Sequence, residues 1–250
     1  MCGRYAITTS AARIEAAFDA IWDVAFERPR FNIAPTQPAP VVRAGAPAGR
    51  AGAPAAPAGA AAGRRISLLR WGLVPAWADD PAIGGRLINA RAETAASKPS
   101  FRAAWKARRC LVPMSHFYEW QAAGREKQPW AIAAAAGEGV PLAEAPLLAA
   151  AGLWERWHDE LETFTILTTE PNRLMRSLHD RMPVLLPGER WSQWLDPAWR
   201  GPETEEEMRE WTRPADEGLL RAFRVSTLVN SPRNDAEACL GVVAGPAQAG

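Results

Sequence analysis

Hydrophobic residues along the chain occur mainly in short runs, a pattern that predicts a strand-rich fold with few and short helices. Frequent glycine and proline interrupt these runs, and strands do not alternate regularly with helices, which argues against a doubly wound parallel sheet. Ser10 can cap a helix in which Ile14, Phe18 and Ile21 recur at helical spacing. Strands are expected at 41–42, 66–69, 87–88, 110–112, 130–134, 147–153, 164–168 and 223–229, and further helices at 171–178, 191–195 and 203–212.

The segment 44–63 stands apart from the rest of the chain because, apart from Arg50, it contains only alanine, glycine and proline. Such residues cannot fill a core, and repeated proline blocks a regular helix or central strand. Strand-like stretches lie on both sides, so we interpret the segment as a surface insertion and not as a domain boundary. The 250 residues are therefore expected to form one domain, 1–250, with a flexible tail from about residue 244.

The composition is that of an ordinary globular protein, with 48% hydrophobic and 23% charged residues. No apolar run approaches the roughly 18 residues that a membrane span needs, and the start of the chain lacks the apolar region of a signal peptide. The three cysteines are too few for a disulfide scaffold and fit a reducing compartment. These features predict a cytoplasmic protein without a membrane partner.

Cysteine and histidine are too scattered to predict a metal site. Cys110 and Cys239 lie in apolar, strand-like contexts and are expected in the core. The three histidines, His116, His158 and His179, are widely separated and lack the spacing of a zinc motif. We therefore expect no metal and no other cofactor.

The net charge of +1 conceals an uneven distribution of charge along the chain. Segment 64–109 holds ten basic and three acidic residues, whereas 203–217 holds seven acidic residues and two arginines. A basic face can bind a polyanion such as a nucleic acid, although solvated surface arginines would produce the same count.

The stretch WGLVPAW at 71–77 places Trp71 and Trp77 around a glycine and a proline. Single-stranded nucleic acids bind in grooves where cations follow the phosphates and aromatic rings stack on the bases. The alternative is that these tryptophans are core residues, as tryptophans usually are. The residues that could line such an aromatic, basic groove are Asn32, Pro35, Trp71, Trp77, Arg91 and Arg102.

Cys2 is the first candidate for covalent chemistry. Methionine aminopeptidases generally remove Met1 before a small residue, which would leave a cysteine with a free α-amine and a thiol. Their ordinary pKa values are about 8 and about 8.5, so both are usable nucleophiles near neutral pH. Together they can condense with one aldehyde, the amine forming an imine and the thiol closing a five-membered thiazolidine. A reactive role would favour an exposed, low-pKa thiol, whereas a structural role requires only a small residue that begins a strand.

Three polar residues beside strand ends are candidates for proton transfer or orientation. Glu119 lies among aromatic residues, where partial desolvation could keep it protonated near neutral pH. His179 is flanked by an aspartate and an arginine, and Asn89 follows a strand-like run. Their structural alternatives are an outward-facing glutamate, a surface histidine at a helix end and a turn asparagine.

Eight blocks of sequence, taken together and in order, resemble the SOS response-associated peptidase (SRAP) family over nearly the whole chain. No single block is specific, but their combination is. The blocks are MCGRYA at the start, FNIAPTQ at 31–37, RWGLVPAWA at 70–78, INARAET at 88–94, RRCLVPMSHFYEW at 108–120, ILTTEPN at 166–172, LHDRMPVLL at 178–186 and VNSPRND at 229–235.

The resemblance implies a single β-rich α+β domain, with mixed or antiparallel, partly barrel-like sheets and a few short helices around a basic groove. It also implies crosslinking to abasic sites in single-stranded DNA, a lyase-like enzyme activity that shields the lesion during the DNA damage response. Cys2 would be the nucleophile, Asn89 would orient the reacting centre, and Glu119 and His179 would transfer protons. The expected partner is single-stranded DNA with abasic sites, bound by a monomer that is nucleoid-associated when on DNA. The residues expected to contact DNA are Arg4, Asn32, Pro35, Trp71, Trp77, Arg91, Arg102 and Trp120.

The chain departs from the family pattern at two places and leaves two other functions open. The insertion at 44–63 is long, and His116 stands where relatives more often carry a small residue, which could add a second titrating group near the site. An N-terminal-nucleophile hydrolase, such as a peptidase or a class II glutamine amidotransferase, also begins with Met-Cys-Gly. A non-catalytic single-strand-binding module is the third possibility.

Overall fold

A computed structural model of the chain describes residues 2–26, 28–45, 63–123, 126–136 and 140–243. Within these ranges the secondary structure is mostly strand, interrupted by short helices. The strands there are β1 (Tyr5–Ile7), β2 (Ala20–Trp22), β3 (Arg30–Ile33), β4 (Pro38–Ala44), β5 (Arg64–Trp71), β6 (Asn89–Arg91), β7 (Arg109–Met114), β8 (His116–Ala123), β9 (Glu126–Ala134), β10 (Leu148–Trp157), β11 (Leu161–Thr169), β12 (Met182–Pro183) and β13 (Leu220–Arg224). The α-helices there are α1 (Ala11–Phe18), α2 (Ala92–Ala95), α3 (Arg102–Ala107), α4 (Arg173–Arg176), α5 (Trp191–Leu195) and α6 (Glu205–Thr212).

One sheet has five antiparallel strands in the order β13, β9, β8, β1 and β3. Successive side chains of a strand point to opposite faces of its sheet. In β8, Phe117 packs in the main core and Tyr118 packs in a smaller cluster on the other face. Glu119 therefore shares the face of Phe117, and His116 shares the face of Tyr118.

The other sheet has eight strands and closes partly on itself. Its order is β12, β11, β10, β7, β4, β5 and β2, and β6 pairs with β11. β5 also pairs in parallel with β11, at Arg70 with Thr163 and at Trp71 with Phe164, so that β11, β10, β7, β4 and β5 form a ring. The prediction of a mixed, partly barrel-like α+β fold is confirmed.

Trp71 lies where the two sheets meet. Its ring packs edge-on against Tyr5 of the first sheet, with ring centres 5.1 Å apart, and stacks on Phe164 of the second at 6.3 Å. All three residues are fully buried in the main core. The ring of Trp71 is therefore not available to stack on a base, contrary to the expectation that it lines a DNA groove.

The first helix begins as predicted and ends earlier. The Ser10 hydroxyl accepts a hydrogen bond of 3.4 Å from the backbone N–H of Arg13, which caps α1. Asp19 ends the helix in the left-handed conformation, with φ of 46°. Ile21 therefore belongs to β2 and is 43% exposed instead of completing the apolar face of α1. The helices predicted at 171–178, 191–195 and 203–212 correspond to α4, α5 and α6.

Two predicted strands have different bounds in the structure. The strand expected at 223–229 ends at Arg224, because the Ser226 hydroxyl accepts a hydrogen bond from the N–H of Leu228 and begins a 3-10 turn. The strand expected at 87–88 begins instead at Asn89, which pairs with Ile166 of β11.

The insertion leaves and re-enters the fold at neighbouring points. Ala44 and Arg64 are partners in the β4–β5 hairpin, and the N–H of Gly45 donates a hydrogen bond of 2.7 Å to the carbonyl of Gly63. Residues 46–62 and the tail from 244 lie outside the described residues. In the part of the chain that is described, no helix is long and apolar enough to cross a membrane.

Candidate active site

Cys2 lies three residues before the start of β1, with its side chain fully buried. Its Sγ is 3.9 Å from the carbonyl oxygen of Arg4, and its own carbonyl accepts a hydrogen bond of 2.8 Å from Nδ2 of Asn89. Burial raises the pKa of the Cys2 thiol well above its ordinary value, and the charge of Glu119 adds to the increase. The structure thus holds a neutral, buried thiol, contrary to the expectation of an exposed thiol with a low pKa.

Asn89 begins β6, and the carbonyl of the preceding residue accepts hydrogen bonds from the indole N–H of Trp71 (2.8 Å) and from the backbone of Ile166 (3.2 Å). Its Nδ2 holds Cys2, as described above. Its Oδ1 is buried and has no hydrogen-bond partner among the described residues. A buried acceptor of this kind can accept a hydrogen bond from an N–H or O–H group of a bound substrate.

Glu119 lies in the middle of β8, opposite Trp130 of β9, and is only 2% exposed. Burial raises the pKa of the Glu119 carboxyl to about 7, with Asp180 adding to the increase and the positive amino terminus opposing it. A carboxyl with a pKa near 7 can both accept and donate a proton at neutral pH. The predicted desolvation of this residue is therefore present in the structure.

His179 follows α4 in a tight loop. The N–H of Arg181 donates a hydrogen bond of 3.1 Å to Nδ1 of His179, which places the proton of the neutral ring on Nε2. Asp180 Oδ1 lies 2.7 Å from the same Nδ1, so ring protonation would exchange the hydrogen bond for an ion pair. Burial lowers the pKa of His179, as does the positive amino terminus, whereas Asp180 raises it.

Two contacts fix the His179 loop against the rest of the site. The Arg181 guanidinium makes paired hydrogen bonds of 2.6 and 2.8 Å to the Glu93 carboxylate just after β6. Gln121 of β8 donates a hydrogen bond of 3.2 Å to the carbonyl of Ser177 at the end of α4. Neither Arg181 nor Gln121 was predicted to have a role, although both lie in or beside blocks that resemble the family.

The structure brings the four predicted catalytic residues together around the start of the chain. Asn89 is hydrogen-bonded to Cys2, and the Glu119 charge raises the pKa of the Cys2 thiol. The positive amino terminus acts on the pKa values of Cys2, Glu119 and His179. The predicted nucleophile, the predicted orienting amide and the two predicted proton carriers therefore share a single electrostatic environment.

Four of the predicted DNA contacts lie on the surface or near it. Arg91 is exposed and stands two residues beyond Asn89, on the same side of β6. Trp77 is 59% exposed, with its indole N–H 3.4 Å from the Pro99 carbonyl. The exposed Arg102 begins α3, and Pro35 is half-buried in the turn between β3 and β4.

Arg4, Asn32 and Trp120 take part in an internal network. One Arg4 nitrogen donates hydrogen bonds of 2.9 Å to Asn32 Oδ1 and to the Val229 carbonyl, and its guanidinium lies 5.7 Å from the centre of the Trp120 ring. The Trp120 indole N–H donates a hydrogen bond of 2.7 Å to Oδ1 of Asn230. The network ties the start of the chain to segment 229–235.

Asn32 is fully buried and braces this segment instead of facing a groove. Its Nδ2 lies 3.2, 3.0 and 2.7 Å from the carbonyl oxygens of Val229, Ser231 and Asn234. Asp235 completes the brace by accepting hydrogen bonds of 2.6 and 3.0 Å from the N–H groups of Phe31 and Asn32. Asp235 was missed at the level of sequence, and its place in the block at 229–235 was the available signal.

We expect Asn32→Ala to lower the free energy of unfolding by roughly 2–3 kcal/mol, because it removes both the buried amide that donates to these carbonyls and the oxygen that accepts from Arg4. Urea denaturation followed by fluorescence measures this change. Asn230→Ala, which removes the acceptor of one exposed hydrogen bond, is the matched control and should cost less than about 1 kcal/mol. Equal losses in the two variants would contradict the bracing role.

His116 does not add a second titrating group to the site. It is fully buried on the face of β8 opposite to Glu119, and burial lowers its pKa to about 3. The Tyr118 hydroxyl donates its proton in a hydrogen bond of 2.7 Å to the Phe31 carbonyl. The same hydroxyl therefore accepts a hydrogen bond of 2.9 Å from Nε2–H of His116. The ring is therefore neutral and structural.

The other cysteines are free and buried, as expected of core residues. Cys110 packs so closely on Gly152 that a Cβ added there would lie 2.9 Å from the Cys110 sulfur. In the described ranges, no group of three or more histidine, cysteine, aspartate or glutamate residues is arranged to hold a metal ion.

Relatives with similar sequences share a common description. The chain is 36% identical to the abasic site processing protein YoqW of Bacillus subtilis, over 94% of this chain and 96% of that protein. It is 32% identical to the abasic site processing protein HMCES of Gallus gallus, over 96% of this chain and 77% of that protein.

Solved structures show the same fold. A protein from Bacteroides thetaiotaomicron superposes with a TM-score of 0.76 at 22% identity, covering 97% of this chain and 100% of that one. A phage-related protein from Bordetella bronchiseptica gives 0.61 at 25% identity, covering 90% and 95%. The pattern of the SOS response associated peptidase (SRAP) family matches residues 1–232, including the whole cluster around Cys2. The chain therefore belongs to the SRAP family.

Proposed function

We propose that this protein recognises abasic sites in single-stranded DNA and crosslinks to them through Cys2 after removal of Met1. The observation that carries the proposal is the cluster itself: Asn89 holds the Cys2 carbonyl, and Glu119, with a pKa of about 7, acts on the same residue. The family membership and the description of the relatives as abasic site processing proteins support the same chemistry.

The first step needs a neutral amine at Cys2. An α-ammonium group has an ordinary pKa of about 8, and a carboxylate with a pKa of about 7 is well matched to accept its proton. Glu119 in its ionised form thus becomes protonated as the amine becomes nucleophilic. The thiol stays neutral at this stage, because burial raises its pKa.

The sugar must then open. An abasic deoxyribose exists as a closed hemiacetal and an open aldehyde, and a proton delivered to the ring oxygen favours opening. We expect protonated Glu119, or the neutral His179 ring through its Nε2–H, to supply that proton. The amine adds to the aldehyde carbon, and the carbinolamine loses water to give an imine.

The thiol then closes the ring. The Cys2 sulfur adds to the imine carbon, its proton passes to the imine nitrogen, and a thiazolidine forms without net loss or gain of electrons. We expect Glu119 to relay this proton, since its charge raises the pKa of the Cys2 thiol. The Asn89 amide fixes the Cys2 carbonyl during all three steps and so holds both nucleophiles in place.

The protein acts as a monomer in the cytoplasm and is associated with the nucleoid when bound to DNA. It is an abasic-site processing enzyme of a lyase-like kind, since its reaction proceeds through an imine. A peptidase or amidotransferase activity has no support in the geometry beyond the N-terminal cysteine itself.

The decisive experiment is an intact-mass spectrum after incubation with an oligonucleotide that contains one abasic site. We expect loss of Met1 and a mass increase equal to the oligonucleotide minus one water. Binding to abasic and intact strands with equal affinity, and no covalent product, would indicate a non-catalytic binding module. Release of ammonia from glutamine would instead favour an amidotransferase.

Binding to intact single strands should weaken steeply with salt, because cations at the groove displace counterions from phosphates. Arg91→Ala should weaken binding and flatten the salt slope by about one unit, since Arg91 is exposed beside Asn89. Fluorescence anisotropy over a salt series measures both. Arg200→Ala, at an exposed arginine that precedes the acidic α6, is the control and should leave the slope unchanged. A wild-type slope near zero would contradict a groove that follows phosphates.

A further inference from the structure

Trp71 has no part in the proposed reaction, yet it contacts both Tyr5 in the strand that follows Cys2 and the carbonyl of the residue that precedes Asn89. We propose that Trp71 is a positioning residue for the reaction: its indole N–H fixes the carbonyl of Ile88, and thereby the Asn89 amide that holds Cys2. The inference rests on the proposed function and adds a residue that acts through Asn89.

Trp71 contacts the residue that precedes Asn89. The Trp71 indole N–H donates a hydrogen bond of 2.8 Å to the carbonyl oxygen of Ile88, and the backbone N–H of Ile166 donates one of 3.2 Å to the same oxygen. Two donors on one carbonyl set the orientation of the Ile88–Asn89 peptide group. The direction in which the Asn89 side chain leaves the backbone follows from that orientation.

Trp71 also contacts β1, the strand that follows Cys2. The Trp71 ring meets Tyr5 of β1 edge-on at 5.1 Å, and Tyr5 is fully buried. Aromatic pairs of this geometry stabilise their relative position beyond simple burial. One side chain thus contacts β1 with its ring and, with its N–H group, the residue that precedes β6. The Asn89–Cys2 hydrogen bond joins the same two parts of the chain.

The backbone on either side of the Trp71 ring is itself fixed by close contacts. The backbone N–H of Trp71 donates a hydrogen bond of 3.0 Å to the Gln37 carbonyl, and the backbone carbonyl of Trp71 accepts one of 2.8 Å from the backbone N–H of Thr36. The next residue, Gly72, has φ of +121°, and a Cβ there would lie 2.5 Å from the Gly84 carbonyl oxygen. The backbone is held on both sides of the ring, so the indole has one place in which to lie.

Trp71→Phe tests the inference because it retains an aromatic ring and removes the N–H donor. Trp194→Phe is the matched control: Trp194 is equally buried, and its indole N–H donates a hydrogen bond of 2.9 Å to the Cys110 carbonyl. We expect Trp71→Phe to lower the single-turnover crosslinking rate at saturating DNA about tenfold, since small errors in position are costly in catalysis. Its Kd for intact strands should stay within about twofold of wild type. Trp194→Phe should lose a similar amount of thermal stability and crosslink at the wild-type rate.

Nonadditivity identifies the route through Asn89. In an Asn89→Ala background, Trp71→Phe should cause no further slowing, because the group it positions is gone. The inference is overturned if Trp71→Phe crosslinks at the wild-type rate, if both tryptophan variants slow equally, or if the two substitutions add. Wild-type protein that forms no adduct refutes the proposed function, and this inference with it, whereas a wild-type adduct with an unaffected Trp71→Phe refutes the inference alone.

Discussion

Cys2→Ala is expected to abolish the stable adduct with abasic single-stranded DNA. The alanine variant retains an α-amine and can form a transient imine, but it has no sulfur to close the thiazolidine. Intact-mass spectrometry should therefore show no unreduced adduct, whereas trapping with borohydride should still detect the imine. The affinity of the Cys2→Ala variant for intact strands should equal that of the wild type, because this affinity depends on cationic and aromatic side chains and not on the thiol.

Cys110→Ala is the control for this experiment. Cys110 is also a free, buried cysteine whose thiol has a raised pKa, but it lies in β7 and its pKa is not affected by Glu119. Its adduct yield should match that of the wild type once corrected for the folded fraction. A Cys2→Ala protein that gives the same stable, unreduced adduct as wild type would show that another nucleophile carries the reaction.

The burial of Cys2 gives the reaction an order. A thiol that is neutral at pH 7 is a weak nucleophile, so in the proposed reaction the amine attacks the aldehyde first. The sulfur needs only to add within the same residue, where a five-membered ring offers a high effective concentration. Burial also protects the thiol from oxidation between encounters with DNA.

Much of this site could be predicted from sequence because its residues are next to strong local signals. Glu119 stands among aromatic residues on a strand, and desolvation of its carboxyl follows from that setting. Cys2 is marked by its place after Met1, and Asn89 and His179 by their blocks. Family resemblance then supplied the grouping that no single residue could.

Sequence alone could not predict which side chains face the core and which face the solvent. Trp71 and Trp77 are six residues apart in one block, but Trp71 is fully buried and Trp77 is 59% exposed. Which of them faces solvent depends on the pairing of β5 with β11, and sequence alone does not show such long-range pairing. His116 was misplaced for the same reason: β8 directs it away from Glu119.

Residues that act through backbone contacts were also missed. Asn32 was expected at a DNA surface because its block is a family signature, but its amide donates to carbonyl groups nearly 200 residues further along the chain. An asparagine that braces a loop and one that contacts a ligand carry the same local pattern. Only the fold separates the two roles.

Glu119→Gln is expected to slow crosslinking by one or more orders of magnitude while leaving the affinity for intact strands unchanged. The glutamine cannot accept the proton of the Cys2 amine or deliver one to the sugar, and proton transfer contributes typically 10²–10⁴-fold. His179→Ala should also slow the reaction or its reversal, by a smaller factor if Glu119 remains competent. Single-turnover time courses of both variants and of the double mutant measure this, because cooperating groups are not additive.

The same substitution should stabilise the folded protein at alkaline pH. The folded-state pKa of Glu119 is about 7, above its ordinary value of about 4.3, so between these values the folded state binds a proton that the unfolded state releases. Stability therefore falls as pH rises through this window, and above it the folded protein carries a poorly solvated carboxylate. Glu119→Gln removes that charge and should be more stable than wild type by about 3 kcal/mol at pH 8, from the size of the pKa change.

The pH dependence separates a proton carrier from a structural carboxyl. Near pH 4 the wild-type carboxyl is protonated, so the two proteins should unfold at nearly the same urea concentration. A glutamate that only held its strand in place would lose contacts on substitution, and the variant would be less stable at every pH with an unchanged rate per folded molecule. A variant that crosslinks at the wild-type rate, and shows no pH-dependent difference in stability, contradicts both the acid–base role of Glu119 and its raised pKa. The expected result is a variant that is slower at crosslinking and more stable at alkaline pH, because the same buried carboxyl would transfer the proton and would destabilise the fold when ionised.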